Sequence, residues 1–292
     1  MYVRAKNGGA VYLVGMRRWR ARVRGILVAS LSVIFPISLS PWAAAHNPLS
    51  AEADSATVSA ALLLALLWVG YLLGSRRVAP RRHHWWLFQI ATGVSVFTLF
   101  GPLDHWAETN TAMHMVQHML MMVVIAPLLV AARPLPQWHA WHARPVRWLS
   151  TPLLWGARFP LGAACAHGVI IWLWHTPRLY VLALEHPWWH FFEHLCFLVT
   201  AGVFWWAVLR SPQRTNPRAL LALLITLMHT GFLGALLTFS PVSLYGEERL
   251  LAHQQLAGLL MWVLGGLPYF AAALWVGWRL TKNQWSQSRL DQ

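Results

Sequence analysis

Charge is scarce in this chain, and lysine is scarcer still. Charged residues make up 11% of the 292 and hydrophobic residues 57%. A solvated surface usually carries about a quarter charged residues, so composition argues against a soluble globular domain. Lysine occurs only as Lys6 and Lys282, neither inside an apolar run, which removes the Schiff-base lysine of a retinal-binding seven-helix receptor. The two cysteines, Cys165 and Cys196, both sit within apolar runs and offer no disulfide framework. Acidic residues number 9 against 23 basic ones. Neither internal repeats nor low-complexity tracts interrupt the chain.

Long apolar runs are what the chain has instead. Crossing about 30 Å of hydrocarbon takes about 20 apolar residues at a helical rise of ~1.5 Å each. The hydropathy pattern predicts an all-α polytopic membrane protein with seven spans, at Val58–Leu73, Trp85–Phe100, Ala112–Ala131, Phe159–His175, Pro187–Leu209, Arg218–Phe239 and Ala252–Trp278. Gly162 and Gly168 in the fourth span allow close helix packing. Trp85, Trp86, Trp174, Trp188, Trp189 and Trp278 lie near span ends, where interfacial belts form. Ahead of the spans, residues 1–45 read as a targeting segment. It has a basic stretch from Arg17 to Arg24, an apolar stretch Ile26–Leu39, and Ala43-Ala44-Ala45 as a cleavage site, or it is an uncleaved signal anchor. The expected organisation is therefore 1–45 targeting segment, 46–57 extracytoplasmic segment, 58–280 membrane domain and 281–292 tail.

The net charge of +14 is distributed by topology. Arg76, Arg77, Arg81 and Arg82 follow the first span; Arg133, Arg144, Arg147 and Arg158 follow the third; Arg210, Arg214 and Arg218 follow the fifth; and Arg279, Lys282 and Arg289 follow the seventh. The alternate loops hold only Arg178 and Arg249. The positive-inside rule then puts the N-terminus outside and the C-terminus in the cytoplasm. The bilayer is the expected partner of this charge, and nucleic acid is not. Glu52, Asp54, Asp104, Glu108, Glu185, Glu193, Glu247 and Glu248 all fall on the outer side, where carboxylates raise the local concentration of cations.

Fifteen histidines are many for such a chain, and most lie in the outer half. His114 and His118 open the third span one helical turn apart, among Met113, Met115, Met119, Met121 and Met122. His167 and His175 are in the fourth span, His229 is in the sixth, and His253 begins the seventh. His186, His190 and His194 recur every four residues at the start of the fifth, forming a ladder that runs inward. By helical rise His118 lies about 9 Å below the outer boundary, His194 about 10 Å and His167 about 12 Å. Imidazole inside a bilayer faces protein, water or a metal, and imidazole with thioether suits copper. The metal-ligating candidates are therefore His114, His118, His194, His190, His175, His167, Met119 and His253. Asp104, Glu108 and Glu193 are placed to attract an ion or orient the rings. Methionine also fills core gaps, and the methionine stripe reads equally as packing.

Two other chemistries fit some of these residues. His190-Phe191-Phe192-Glu193-His194 matches the H-x-x-E-H pattern of an intramembrane zinc hydrolase. His118 with His194 or His167 could be axial ligands of a b-type haem.

Combined blocks resemble the membrane-integral CtaG family of bacterial cytochrome c oxidase assembly proteins. They are Gly101-Pro102-Leu103-Asp104, His114 to Met122 with Ala126-Pro127-Leu128-Leu129, Trp174-His175 with Pro177, Tyr180, Glu193-His194, Phe204-Trp205-Trp206, and Gln254 to Trp262 with Gly265-Gly266. The similarity spans about residues 55–280. It implies a seven-helix protein of the cytoplasmic membrane that works on subunits of a haem–copper oxidase, without catalysis of its own, by delivering copper. It also points to His114, His118, His175 and His194. Where relatives tend to carry Asp before the Gln-Gln pair, this chain has His253.

Overall fold

A computed structural model describes residues 48, 53–210, 216–246 and 249–288. The expected targeting segment 1–45, His46, Glu52, Arg214, Glu247, Glu248, Arg289 and Asp291 lie outside the described residues. Described secondary structure is entirely helical: α1 Ser55–Ser75, α2 Arg82–Phe100, α3 Pro102–Thr109, α4 Thr111–Met119, a π-helical turn Leu120–Ile125, α5 Ala126–Ala132, α6 Leu135–Gly156, α7 Pro160–Trp174, α8 Pro177–Glu185, α9 Pro187–Leu209, α10 Asn216–Phe239, α11 Leu251–Val263 and α12 Gly266–Ser288.

Local chemistry sets many of these boundaries. Pro102, Pro160, Pro177 and Pro187 each open a helix, where a missing N–H costs nothing and φ is already helical. Asp54 caps α1 by accepting from the backbone N–H of Ala56 and Thr57, and Asn110 caps α4 by accepting from Ala112 and Met113. Between α2 and α3 the chain bends by 40° at Gly101. A Cβ there would lie 2.4 Å from the Phe97 carbonyl oxygen, so only glycine fits the corner.

Among the described residues five helical stretches are long and apolar enough to cross a bilayer: Ser55–Ser75, Thr111–Ala132, Pro187–Leu209, Pro217–Phe239 and Leu251–Lys282. The bent pairs α2–α3 and α6–α7 raise the number to seven if each is one span. The fourth expected span is where structure and sequence pattern differ most. Its helix α7 has 15 residues, about 22 Å of rise, and it meets α6 at 103°. Helix α6 lies where a basic loop was expected. Pro145, Pro152 and four arginines between 133 and 158 hid it from the pattern, and His142 leaves helical geometry to make a kink within it.

Thr111–Ala132 is the central stretch, packed with α7, α9, α10, α11 and α12 around one apolar core. Its π-turn answers a proline. In a π register the Met122 carbonyl would bond the N–H five residues on, and that residue is Pro127, which has none. Trp205 of α9 supplies the donor instead, its indole N–H 2.7 Å from the Met122 carbonyl. Helices α10 and α11 meet at Gly234 and Gly258, each glycine lying against the other's carbonyl oxygen. The following loop is tied down by Gln254 and Gln255. Gln254 Oε1 accepts from Leu244 N–H at 2.7 Å, and Gln255 Nε2 donates to the Ser240 carbonyl at 3.2 Å. Of the two glycines singled out in α7, Gly168 makes a close approach, to His229, while Gly162 has ordinary spacing. Trp174, expected at an interface, is buried against Trp189 and Phe192.

Candidate metal centre

Two helices build the centre. Helix α4 carries His114 and His118 on one face, with ring centroids 4.2 Å apart. Helix α9 carries His190 and Glu193 one turn into its N-terminal half. One ligand atom from each of these four residues lies within 4.8 Å of the others. His118 and Glu193 have no exposed surface and His114 only 1%.

The spacing is informative. Glu193 Oε2 lies 3.7 Å from His118 Nε2 and 3.9 Å from His114 Nε2. Both are too long for hydrogen bonds. Two donors that each sit about 2.0–2.1 Å from a common ion are about 3.3–4.2 Å apart between tetrahedral and linear geometry, and both measured gaps fall in that window. Both carboxylate oxygens of Glu193, both ring nitrogens of His118 and Nε2 of His114 lack hydrogen-bond partners among the described residues. Buried polar atoms are almost always paired. Of these five atoms, Glu193 Oε2 with Nε2 of His114 and Nε2 of His118 lie at a spacing that could hold a metal ion.

Surrounding groups fix the frame. Gln117, between the two histidines, donates from Nε2 to Asp104 Oδ1 at 2.7 Å and to the Thr98 carbonyl at 2.9 Å, tying α4 to α3 and α2. His175 lies beside His118, ring centroids 6.3 Å apart. Its Nδ1 is 2.7 Å from the Ile171 carbonyl, so Nδ1 carries the proton and Nε2 keeps its lone pair. That Nε2 is buried without a partner among the described residues. His194 follows, 5.4 Å from His118 and 4.1 Å from His190 between ring centroids.

Beside His114, Tyr180 stacks on Tyr245 at 3.8 Å and lies 5.2 Å from the His114 ring. Burial pushes both phenols far above their usual range, so they stay protonated. Arg249 covers Tyr180 and donates to the Glu108 carbonyl at 2.7 Å and to Thr111 Oγ1 at 3.3 Å. On the side, a cavity of about 120 Å³ between α1, α2 and α9 is lined by His190, His194 and Asp104.

The structure thus gathers His114, His118, His190 and Glu193, with His175 and His194 flanking them. Other candidates stand elsewhere. Met119 turns its sulfur to Gly265, where a Cβ would come within 3.0 Å of it. His167 bonds Thr200, and His253 lies in the first turn of α11, outside the cluster. Asp104 holds Gln117, and exposed Glu108 stands 3.9 Å from His105. Cys165 and Cys196 are free thiols. Sequence reasoning did not single out Gln117, Tyr245 or Arg249 as parts of a site. The one available signal was an amide buried mid-run between two histidines.

The family described as cytochrome c oxidase caa3 assembly factor matches residues 66–283. Similar curated proteins include uncharacterized proteins of Mycobacterium bovis and Mycobacterium tuberculosis, each 27% identical over 256 residues, covering 74% of this chain. The chain spans 37% of the length of those relatives. No solved structure matches.

Proposed function

This chain belongs to the family of cytochrome c oxidase caa3 assembly factors, and we propose that it serves that assembly by holding a copper ion at the α4–α9 centre and passing it to an oxidase subunit. His114, His118 and His190 supply imidazole nitrogens and Glu193 a carboxylate. His175 and His194 stand one step out as transfer positions. Imidazole suits both copper and zinc, and the haem–copper client decides between them. The copper is cargo, so the site must release it, and flanking imidazoles offer the stepwise exchange that a closed cage would prevent.

The observation that carries this reading is Glu193: wholly buried, both oxygens without hydrogen bonds among the described residues, flanked by imidazoles at ion-ligand spacing. A bound cation would satisfy the Glu193 carboxylate and one nitrogen of each flanking imidazole at once. The arginine distribution supports seven spans with the N-terminus outside, in the cytoplasmic membrane of a bacterium. That topology sets the centre in the outer leaflet. Residues 1–45 would direct this insertion.

Neither rival is favoured. A hydrolase needs Glu193 facing a metal-bound water beside His190 and His194, but its Oε2 lies between His114 and His118. The cavity beside the histidines, about 120 Å³, is far below the ~300 Å³ at which ligand pockets usually start, and a haem would need more.

Copper is quantified on detergent-purified protein and on the His114→Ala/His118→Ala variant, alongside oxidase assembly in cells that carry each. The expected result is loss of copper and loss of assembled oxidase. Unchanged stoichiometry removes these ligands and the proposal with them.

A further inference from the structure

Three arginines stand together at the end of the molecule away from the metal centre. Arg81 caps the start of α2, Arg133 follows α5 and Arg210 follows α9. On α9, Arg210 lies about 30 Å along the helix from His190. Helix α5 packs on both α2 and α9. The charges of Arg81, Arg133 and Arg210 all act on His84 in the first turn of α2, and Arg133 and Arg210 repel one another. Arg133 is exposed and Arg210 half-buried. No carboxylate pairs with any of the three among the described residues.

Helix dipoles favour a cation at the ends of α5 and α9 and oppose one at the start of α2. The positive-inside rule asks for arginine on this side of the bilayer, but not for these positions. Neither accounts for the backbone of Arg133, at φ 55° and ψ 54°, the one positive φ outside glycine among the described residues. Glycine takes such a place at a helix end without penalty. An arginine held there bears strain of the kind found at ligand clamps.

An apolar recess begins where these charges stand. It lies between α5, α6 and α9, and none of its lining residues is charged. Pro134, next to Arg133, is part of its wall. So is Trp206, whose ring lies 5.3 Å from the Arg210 guanidinium. From Trp206 the wall continues along α9 through Val203, Gly202 and Val199 to Leu198, about 12 Å of helix. A Cβ on Gly202 would meet nothing within 4 Å, so space is open beside it.

We infer that this face holds one anionic phospholipid, its phosphate on Arg133 and Arg210 and an acyl chain in the recess. Guanidinium forks match phosphate oxygens, and basic pockets between cytoplasmic helix ends take acidic headgroups. An uncharged recess suits hydrocarbon and gives a free anion nothing. A second copy of the chain would bring like charges together. The cytoplasmic leaflet follows from the proposed topology; the phosphate and chain contacts do not depend on it. Helix α5 continues the stretch that carries His114 and His118, and α9 carries Glu193. The lipid therefore ties together the far ends of the two elements that build the metal centre.

The full chain is purified in detergent, stripped of lipid and titrated with phosphatidylglycerol, phosphatidylcholine or inorganic phosphate, and bound lipid is counted by native mass spectrometry. The expected result is one phosphatidylglycerol per chain, held at least tenfold tighter than phosphatidylcholine and not displaced by inorganic phosphate. Arg133→Gly weakens it at least tenfold while the lipid-free melting temperature stays level or rises, a pairing that a purely structural arginine would not give. Arg210→Gln weakens it similarly. Gly202→Leu fills the recess and does the same with every arginine in place. Arg279→Gln, on α12 and outside the recess, leaves binding unchanged. Equal binding of both lipids, or an equal loss with Arg279→Gln, makes the effect one of general surface charge and overturns the inference. Displacement by inorganic phosphate makes this a free-anion site and overturns the lipid. Gly202→Leu without effect takes the chain out of the recess, and no retained lipid removes the site altogether. Should Arg133→Gly fail to purify as a single species, Arg210→Gln and Gly202→Leu decide the matter with the same expected losses.

Discussion

Where α10 crosses α11, Gly234 and Gly258 bring two backbones into contact, and the polar groups there are matched: Thr238 donates to the Gly234 carbonyl at 2.8 Å, and both oxygen and nitrogen of the Gln254 amide are bonded. Where α4 crosses α9, five buried polar atoms of His114, His118 and Glu193 go unmatched among the described residues. Both are intramembrane helix crossings in one small protein. The first is matched within the protein, and the second is not among the described residues. Crossings of the first kind hold the molecule together, whereas the second leaves buried groups that an ion, on the proposed function, would satisfy.

That contrast can be broken by experiment. The largest effect is expected at the glycine crossing. Gly258→Leu puts side-chain atoms where even a Cβ would lie 2.4 Å from the Gly234 oxygen. It should cost about 4 kcal/mol or more, read as loss of monodisperse protein with or without copper. If the variant purified normally, the crossing would not be structural. Next, His118→Ala should weaken copper binding by about 100-fold or more, roughly 2.7 kcal/mol, while the metal-free melting temperature stays level or rises. A fall in that temperature would make His118 a packing residue.

Copper at a hundred times its Kd should stabilise the native protein by about 2.7 kcal/mol, a rise of roughly 5–10 °C in melting temperature. Glu193→Gln removes a buried carboxylate that has no hydrogen-bond partner among the described residues. It should lose that rise yet melt higher than the native protein when both are empty. An equal copper-induced rise in both would remove Glu193 from the ligand set. The smallest effect is expected at Trp205→Phe, which leaves the Met122 carbonyl without its indole donor. About 1–3 kcal/mol of stability should go, with copper affinity lowered by less than tenfold, since the π-turn lies just below the centre. A change in affinity without a change in stability would reverse that order.

Much of the centre could be read from spacing alone. His114 with His118, and His190 with Glu193, share helix faces at i, i+4 and i, i+3, which periodicity reports directly. The meeting of α4 with α9 could only be inferred from matching depths, and depth does not say which way a face points. It therefore grouped His167 with His118, although His167 turns to Thr200. Met119 shows the same gap: one residue from His118 is about 100° around the helix, enough to send its sulfur to Gly265. Helix α6 was hidden because prolines and arginines read as loop whether or not tertiary packing holds them helical. The π-turn was invisible because Leu120–Ile125 is uniformly apolar, and hydropathy records no register where every position scores alike.

That turn also makes chain length part of the site. Its i→i+5 bonding spreads one residue more than an ordinary helix needs over the same rotation. Removing one residue between Leu120 and Ile125 would let the backbone wind as an ordinary helix with His114 and His118 still aimed at α9. Removing a second residue would have no such slack, and everything N-terminal to the cut would swing about 100° relative to the half that Trp205 anchors. A homologue one residue shorter here could lose the turn and keep the aim of every histidine.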